Sequence, residues 1–271
     1  MPGTVSRPAA GGGFILPGLL AERRRERCMK LAETPETTRG GGAGRRYDAV
    51  FLDVDGTLLW VDLDVAGYVE DLTPYAGGNG GLTAERASGP VWASLRRHIR
   101  QNIEHRTAED LARFRRRNAE RVAGELGIAA PSDVLTEVAE RRISFNPYPE
   151  AVEVLEELKG LPVPLYVVSN WDIELEKVLE GLGWMGYFDG IVASAVLGVE
   201  KPRREIFDEA LRLAGVPAGR AVMVGNDPVS DVRGASEAGV DTVYVARKDR
   251  EAPEATYVLP DLRGLPGIVR G

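Results

Sequence analysis

The stretch Tyr47-Asp48-Ala49-Val50-Phe51-Leu52-Asp53-Val54-Asp55-Gly56-Thr57-Leu58-Leu59 decides how the rest of the chain is read. Residues 49–52 form a short unbroken apolar run, the pattern of a strand buried on both faces. The run stops in two carboxylates, Asp53 and Asp55, and Gly56 then marks a turn. Strand alternation places Asp53 and Asp55 on one side, facing the same small space. Two carboxylates that close repel each other, and one takes up a proton unless a cation neutralises them. A hard divalent cation with oxygen ligands is the natural solution, and Mg²⁺ is the usual one beside phosphate. The plainer reading is that the pair caps and solvates a loop, as Asp often does.

C-terminal to residue 147 the chain alternates between helix and strand patterns. Apolar runs at 165–168, 191–193, 221–224 and 242–245 read as buried strands. Helical patterns occupy 150–159, with Val152, Leu155 and Leu158 on the buried side, then 174–182, 204–214 and 230–238, the last two closed by Gly215 and Gly239. Repeating strand–helix units predict an α/β fold, a doubly wound, mainly parallel Rossmann-like sheet. In such sheets the ligand sits beyond the carboxyl ends of the strands. Residues 62–146 carry a different signal. Val65, Tyr68, Val69 and Leu72 share a helical face, as do Trp92, Leu95, Ile99 and Ile103, and Leu111, Phe114, Val122 and Leu126. Ser132 is placed to cap a further helix carrying Leu135, Val138 and Ala139. No strand pattern interrupts this block, so 62–146 is expected to be an all-helical insert, a cap over a core formed by 47–61 and 147–271. Residues 1–46 are basic and Gly-rich with little apolar periodicity, and are expected to be a disordered leader; Met29 within them is a second candidate initiator.

Composition bounds the function. The 271 residues are 44% hydrophobic with a net charge of −7, enough apolar material for a sizeable core and a poor match to nucleic acid. The single cysteine, Cys28, permits no internal disulfide and suits a reducing cytoplasm. No apolar run approaches the roughly 20 residues of a membrane span, so neither nucleic acid nor membrane is expected as a partner; oligomeric state is not readable.

Three further strand ends carry chemistry. Ser169-Asn170-Trp171-Asp172 offers a hydroxyl and an amide just before a helix, suited to phosphoryl oxygens. Gly198-Val199-Glu200-Lys201-Pro202 supplies a lysine, most often a solvated charge but here positioned before another helix. Gly225-Asn226-Asp227-Pro228-Val229-Ser230-Asp231 follows the fourth strand and also spells a turn. With Asp53-Val54-Asp55-Gly56-Thr57, these stretches resemble, in order, the four motifs of the haloacid dehalogenase superfamily of phosphohydrolases, in its subfamily I form with an α-helical cap.

The resemblance covers about residues 47–260 and implies a Mg²⁺-dependent phosphohydrolase acting on a small phosphorylated metabolite. Asp53 would be the nucleophile that forms an aspartyl-phosphate, and Asp55 the general acid and then base. Thr57, Ser169, Asn170 and Lys201 would bind the phosphoryl group, with Lys201 also steadying the nucleophile. Asp53, Asp55, Asn226, Asp227 and Asp231 are the candidate metal ligands. The chain departs from the family pattern at Asn226, where an Asp is usual; an amide oxygen still coordinates Mg²⁺, with one less negative charge. The Asp55 carboxyl weighs against the dehalogenase branch, which lacks this acid. The alternatives are a sugar-phosphate mutase of the same superfamily and a catalytically weak phosphate-binding regulatory protein silenced at Asn226. Arg96, Arg97, Arg100, Arg106, Arg113 and Arg115–117 in the insert read mainly as a solvated face, and His98 and His105 as surface or packing residues.

Overall fold

The computed structural model describes residues 46–77, 81–247 and 251–271. The leader expected at 1–46, and Met29 within it, lie outside these residues except for Arg46.

Chain order runs β1 (Ala49–Leu52), β2 (Leu59–Leu63), α1 (Val65–Leu72), α2 (Ala84–Arg100), α3 (Ala108–Leu126), α4 (Ser132–Arg141), β3 (Ile143–Pro147), α5 (Ala151–Lys159), β4 (Leu165–Ser169), α6 (Leu175–Gly181) and β5 (Gly190–Ala193). It continues through α7 (Ser194–Leu197), α8 (Arg204–Ala214), β6 (Ala221–Gly225), α9 (Gly234–Glu237), β7 (Asp241–Val245), β8 (Tyr257–Leu259) and α10 (Leu265–Arg270). The main sheet has the order β5-β4-β1-β6-β7-β8, and every pairing in it is parallel. This is the doubly wound architecture that the alternating pattern predicts. The strand β1 lies between β4 and β6, with Leu52 in register with Val167 and Val224. Three carboxyl ends therefore open side by side, and the backbone N–H of Asp53 still donates to Val224 O at 3.0 Å.

Burial explains the unbroken apolar runs. Val50 and Leu52 pack in one core layer with Val154, Leu155, Val167 and Val224, whereas Ala49 and Phe51 pack in the other with Val168, Phe207 and Met223. With no polar face to present to water, the sheet needs no alternation.

Helices α1–α4 bury their own cluster, including Tyr68, Leu72, Val122, Leu126, Leu135 and Val138. The insert is not all helical, however. Strand β2 runs into it and pairs antiparallel with β3, Trp60 against Asn146 and Val61 against Phe145. The β3 sequence Ile-Ser-Phe-Asn-Pro alternates apolar and polar residues for only four positions after a helical stretch, a weak strand signal. The residue before α4 is Pro131, with no side-chain cap, and Ser132 is the first helical residue, its hydroxyl turned to Glu120. Val152 is exposed; Ala151, Val154, Leu155 and Leu158 form the buried face of α5. The helix expected from 230 begins instead as a wide π-turn, Pro228–Arg233, and β8 was not anticipated.

Candidate active site

Asp53 stands one residue past β1 and is buried. Its Oδ1 accepts from Ser169 Oγ at 3.0 Å and from Lys201 Nζ at 2.8 Å, and its Oδ2 accepts from Thr57 Oγ1 at 3.0 Å. Lys201, only 3% exposed, also donates from Nζ to Val168 O at 2.9 Å and to Asp231 Oδ1 at 2.6 Å. An ammonium has three protons, and here each has an oxygen to receive it. Burial works against the charged lysine, but Asp231 and Asp53 outweigh it and hold the lysine above its usual range. Burial likewise pushes the Asp231 carboxyl up to about 6, an effect that Lys201 offsets in part and Asp53 reinforces.

Asn170 holds the lysine from behind. Its Oδ1 accepts from Lys201 N at 2.8 Å and its Nδ2 donates to Lys201 O at 2.9 Å. The Asn170 side chain, expected at the phosphoryl group, braces the backbone of Lys201. Asp227 is similarly engaged: its Oδ1 accepts from the N–H groups of Val229 and Ser230 at 2.9 and 2.8 Å, closing the turn, while its own N–H donates to Asp231 Oδ2 at 2.9 Å. Asn226 lies against the aspartate loop, with Oδ1 3.5 Å from Thr57 Oγ1. Gly56 sits at φ +81°, and a Cβ there would lie 2.1 Å from Asn226 Nδ2. Gly225 makes the equivalent allowance for Asp231, whose carboxyl would be 2.2 Å from an added Cβ. Asp53, Thr57, Ser169, Lys201 and Asp231 thus form one network with Asn226 at its margin. Asp55 is exposed and lines the wall of an adjoining cavity.

The donor set bears on a metal. Among the described residues no three His, Cys, Asp or Glu side chains are grouped to hold an ion. Asp53 Oδ2 and Asn226 Oδ1 nevertheless both approach the Thr57 hydroxyl. Hard oxygens in small number suit Mg²⁺, which keeps several waters and uses one or two carboxylates plus substrate phosphate.

Two features escaped the sequence reading. Arg247 Nη2 donates to Thr57 O at 2.9 Å and to Glu150 Oε1 at 2.6 Å, with its guanidinium carbon 3.5 Å from the centre of the Tyr148 ring. It supports the aspartate loop from beneath, yet an arginine after a strand gives no signal of that. Asp172 is 4% exposed. It accepts from Arg115 Nη2 at 3.0 Å, lies 2.9 Å from His98 Nε2, and takes the Glu174 N–H at 2.8 Å. Burial penalises that carboxylate, but His98, the Glu174 N–H and Arg115 together hold it below the ordinary range. His98 on α2 and Arg115 on α3 are thereby tied to the loop after β4. Arg106 reaches Val196 O and Leu197 O at 3.1 and 3.3 Å, so part of the arginine run is structural rather than solvated. His105 packs as expected, stacked on Phe114 at 4.2 Å.

Between α2–α4 and the strand-end loops lies a cavity of about 570 Å³, reached by Asp55, Asn170 and Trp171 on one side and by Leu95, His98 and Asn118 on the other. Residues 47–239 match the family model of the haloacid dehalogenase-like hydrolases. The chain belongs to this family. Among its relatives, the pyrimidine 5′-nucleotidase YjjG of Escherichia coli K12 is 31% identical over 243 residues, covering 83% of this chain and 98% of the relative. The phosphoserine phosphatase of Thermus thermophilus is 40% identical over 119 residues, covering 43% of this chain and 46% of the relative. Two solved structures share the fold. The HAD-hydrolase YfnB of Bacillus subtilis, in a magnesium-bound form, has a TM-score of 0.59 at 21% identity, covering 84% of this chain and 100% of the other. The L-2-haloacid dehalogenase of Xanthobacter autotrophicus has a TM-score of 0.57 at 24% identity, covering 83% and 99%. This member of the family therefore has curated phosphatase relatives and structural neighbours that include dehalogenases. Among its described residues no helix is long and apolar enough to cross a membrane.

Proposed function

We propose that the chain is a Mg²⁺-dependent phosphohydrolase that cleaves a small phosphomonoester through an aspartyl-phosphate on Asp53. The observation that supports this most is the placement of the Asp53 carboxylate. It is oriented at both oxygens by Ser169, Thr57 and Lys201, and a second carboxyl, Asp55, lines the adjoining cavity.

Asp53 attacks phosphorus, and the bond from phosphorus to the leaving oxygen breaks as Asp55 gives that oxygen its proton. Asp55 then takes a proton from water, the water oxygen bonds to phosphorus, and the bond to Asp53 breaks, releasing phosphate. Lys201 and the Ser169 hydroxyl steady the negative charge on the nucleophile and the equatorial oxygens. Mg²⁺, when bound beside Asp53 and Asn226, supplies charge neutralisation for the transferring group. The helical insert acts as the cap, and its ties to Asp172 exclude water and position the leaving group.

The YjjG and phosphoserine phosphatase relatives support phosphate-ester chemistry over carbon–halogen cleavage, as does the Asp55 carboxyl. The test is phosphate release from acetyl phosphate and p-nitrophenyl phosphate with and without Mg²⁺, beside Asp53→Asn. Mg²⁺-dependent release that vanishes in the folded variant is expected; equal release by Asp53→Asn removes the nucleophile.

A further inference from the structure

Helix α2 carries an apolar stripe that its own bundle absorbs only at Val91. Val91, Leu95 and Ile99 are spaced four residues apart on one face and all line the 570 Å³ cavity, with Ile99 45% exposed. The sequence shows Leu95 and Ile99 recurring at helical spacing, yet the cluster buried in the insert includes Ala87 and Val91 from this helix and neither of those two. The same cavity is walled by Phe145 and Trp171, whose rings sit 5.8 Å apart and inclined by 42°. Aliphatic and aromatic walls of this kind favour a ring, and the volume lies well inside the range of about 300–1,000 Å³ that accommodates ligands far larger than a triose.

The charges in the lining are already spoken for. Three cationic side chains, Arg115, Arg142 and Lys177, line the cavity. Arg115 is paired with Asp172 and Glu174, Arg142 with Asp64 and Asp71, and Lys177 with Glu174. His98 is engaged with Asp172. Acidic groups in the lining outnumber these cations, so a second anionic group on the leaving side would be desolvated opposite carboxylates, with each Arg and Lys of the described lining already facing an acid.

One lining group does lack a partner. The Asn102 side chain is 2% exposed and its Oδ1 is buried without a hydrogen bond. Asn118, also in the lining, is engaged, accepting from Arg97 and donating to Ser94. A ligand N–H that reached this oxygen would satisfy it.

We infer that the leaving group is an uncharged, ring-bearing alcohol of nucleoside size with an N–H donor on its ring. This rests on the phosphohydrolase reading, because Asp55 lines the same cavity and would protonate that alcohol. Anionic alcohols, such as those released from phosphoglycolate or a sugar bisphosphate, are disfavoured by the same walls.

The experiment compares kcat/KM, with Mg²⁺ present, for uridine and adenosine 5′-monophosphates, ribose 5-phosphate, phosphoglycolate and fructose 1,6-bisphosphate. Acetyl phosphate reports the chemistry at Asp53 with almost no leaving group. The nucleotides are expected to exceed ribose 5-phosphate and both anionic-leaving-group substrates by about tenfold or more. In Ile99→Arg, a cation enters the wall at an already exposed position, and the preference for nucleotide over phosphoglycolate is expected to narrow by about tenfold. Acetyl phosphate hydrolysis with equal or better use of phosphoglycolate or the bisphosphate overturns the inference and leaves the phosphohydrolase intact. So does a ratio unchanged in Ile99→Arg. No hydrolysis of any compound, acetyl phosphate included, overturns the phosphohydrolase and this inference with it.

Discussion

Replacing Gly56 by alanine isolates the contact between the aspartate loop and Asn226. Gly56 sits at φ +81°, where a Cβ costs about 1–2 kcal/mol in local strain. That Cβ would also lie 2.1 Å from Asn226 Nδ2 and 2.7 Å from its Cγ, closer than non-bonded atoms approach. The cheapest relief is rotation of the Asn226 side chain, which carries its Oδ1 away from Thr57 and from the oxygen set proposed for Mg²⁺. Gly215→Ala is the matched control: it ends α8 at φ +66°, with no atom within 4 Å of an added Cβ. Urea unfolding should show both variants destabilised by about 1–2 kcal/mol. Turnover of a phosphomonoester should fall by about 100-fold in Gly56→Ala, the scale of a displacement of about 1 Å near the chemistry. Gly215→Ala should stay active, and the Mg²⁺ concentration giving half-maximal rate should rise only in Gly56→Ala. Full activity in Gly56→Ala, or an equal loss in the control, refutes the reasoning.

Asn226→Asp adds one negative charge beside Asp53 and should tighten Mg²⁺ by about tenfold, equivalent to about 1.4 kcal/mol; an unchanged metal dependence takes residue 226 out of the coordination shell. Arg115→Met leaves Asp172 buried with His98 and the Glu174 N–H as its remaining partners, and should cost about 2 kcal/mol in urea unfolding at neutral pH. Because Asp172 is held below the ordinary carboxylate range, the stabilisation from its partners is complete above that range and fades as pH falls through the lowered value, so the difference between variant and wild type should shrink in acid. Burial pushes the His105 imidazole below 6.5, with Glu104 and Asp110 opposing and His98 and Arg117 reinforcing. Its contribution is therefore intact above the unfolded value and lost as pH falls from there toward the folded one; His105→Phe should lose less stability than wild type between about pH 8 and pH 5.5, and an identical loss sinks the assignment.

The parallel sheet was legible because burial on both faces leaves an unmistakable apolar run; Ala49–Leu52 and Ala221–Gly225 show no exposed position. The convergence of the candidate residues was legible because strand ends converge, so short polar stretches far apart in sequence meet around Lys201. What the sequence concealed was mainly a matter of partners. Asn170 and Asp227 have the residue types for phosphate and metal, and the fold adds local hydrogen bonds between Asn170 and the Lys201 backbone and from Val229 and Ser230 to Asp227 Oδ1. Arg115 reads as surface charge and Arg247 gives no signal at all, and only the fold reveals acids and a carbonyl around them. Strand β3 was missed for a different reason: it pairs with one neighbour, β2, and its apolar–polar alternation, Ile143-Ser144-Phe145-Asn146, lasts only four residues before Pro147.

The asparagine at 226 is best understood with the charges around it. The buried network already sets two carboxylates, Asp53 and Asp231, against one ammonium. A further carboxylate at 226 would strengthen the pull on a cation, but it would also place a third negative charge where a phosphoryl group must arrive. With an amide there, a bound Mg²⁺ would be held by fewer charges and an incoming phosphate would meet less repulsion. The two effects act on different steps, so they separate in kinetics. If this balance governs the site, Asn226→Asp gains affinity for Mg²⁺ and at saturating Mg²⁺ shows a raised KM for the phosphomonoester.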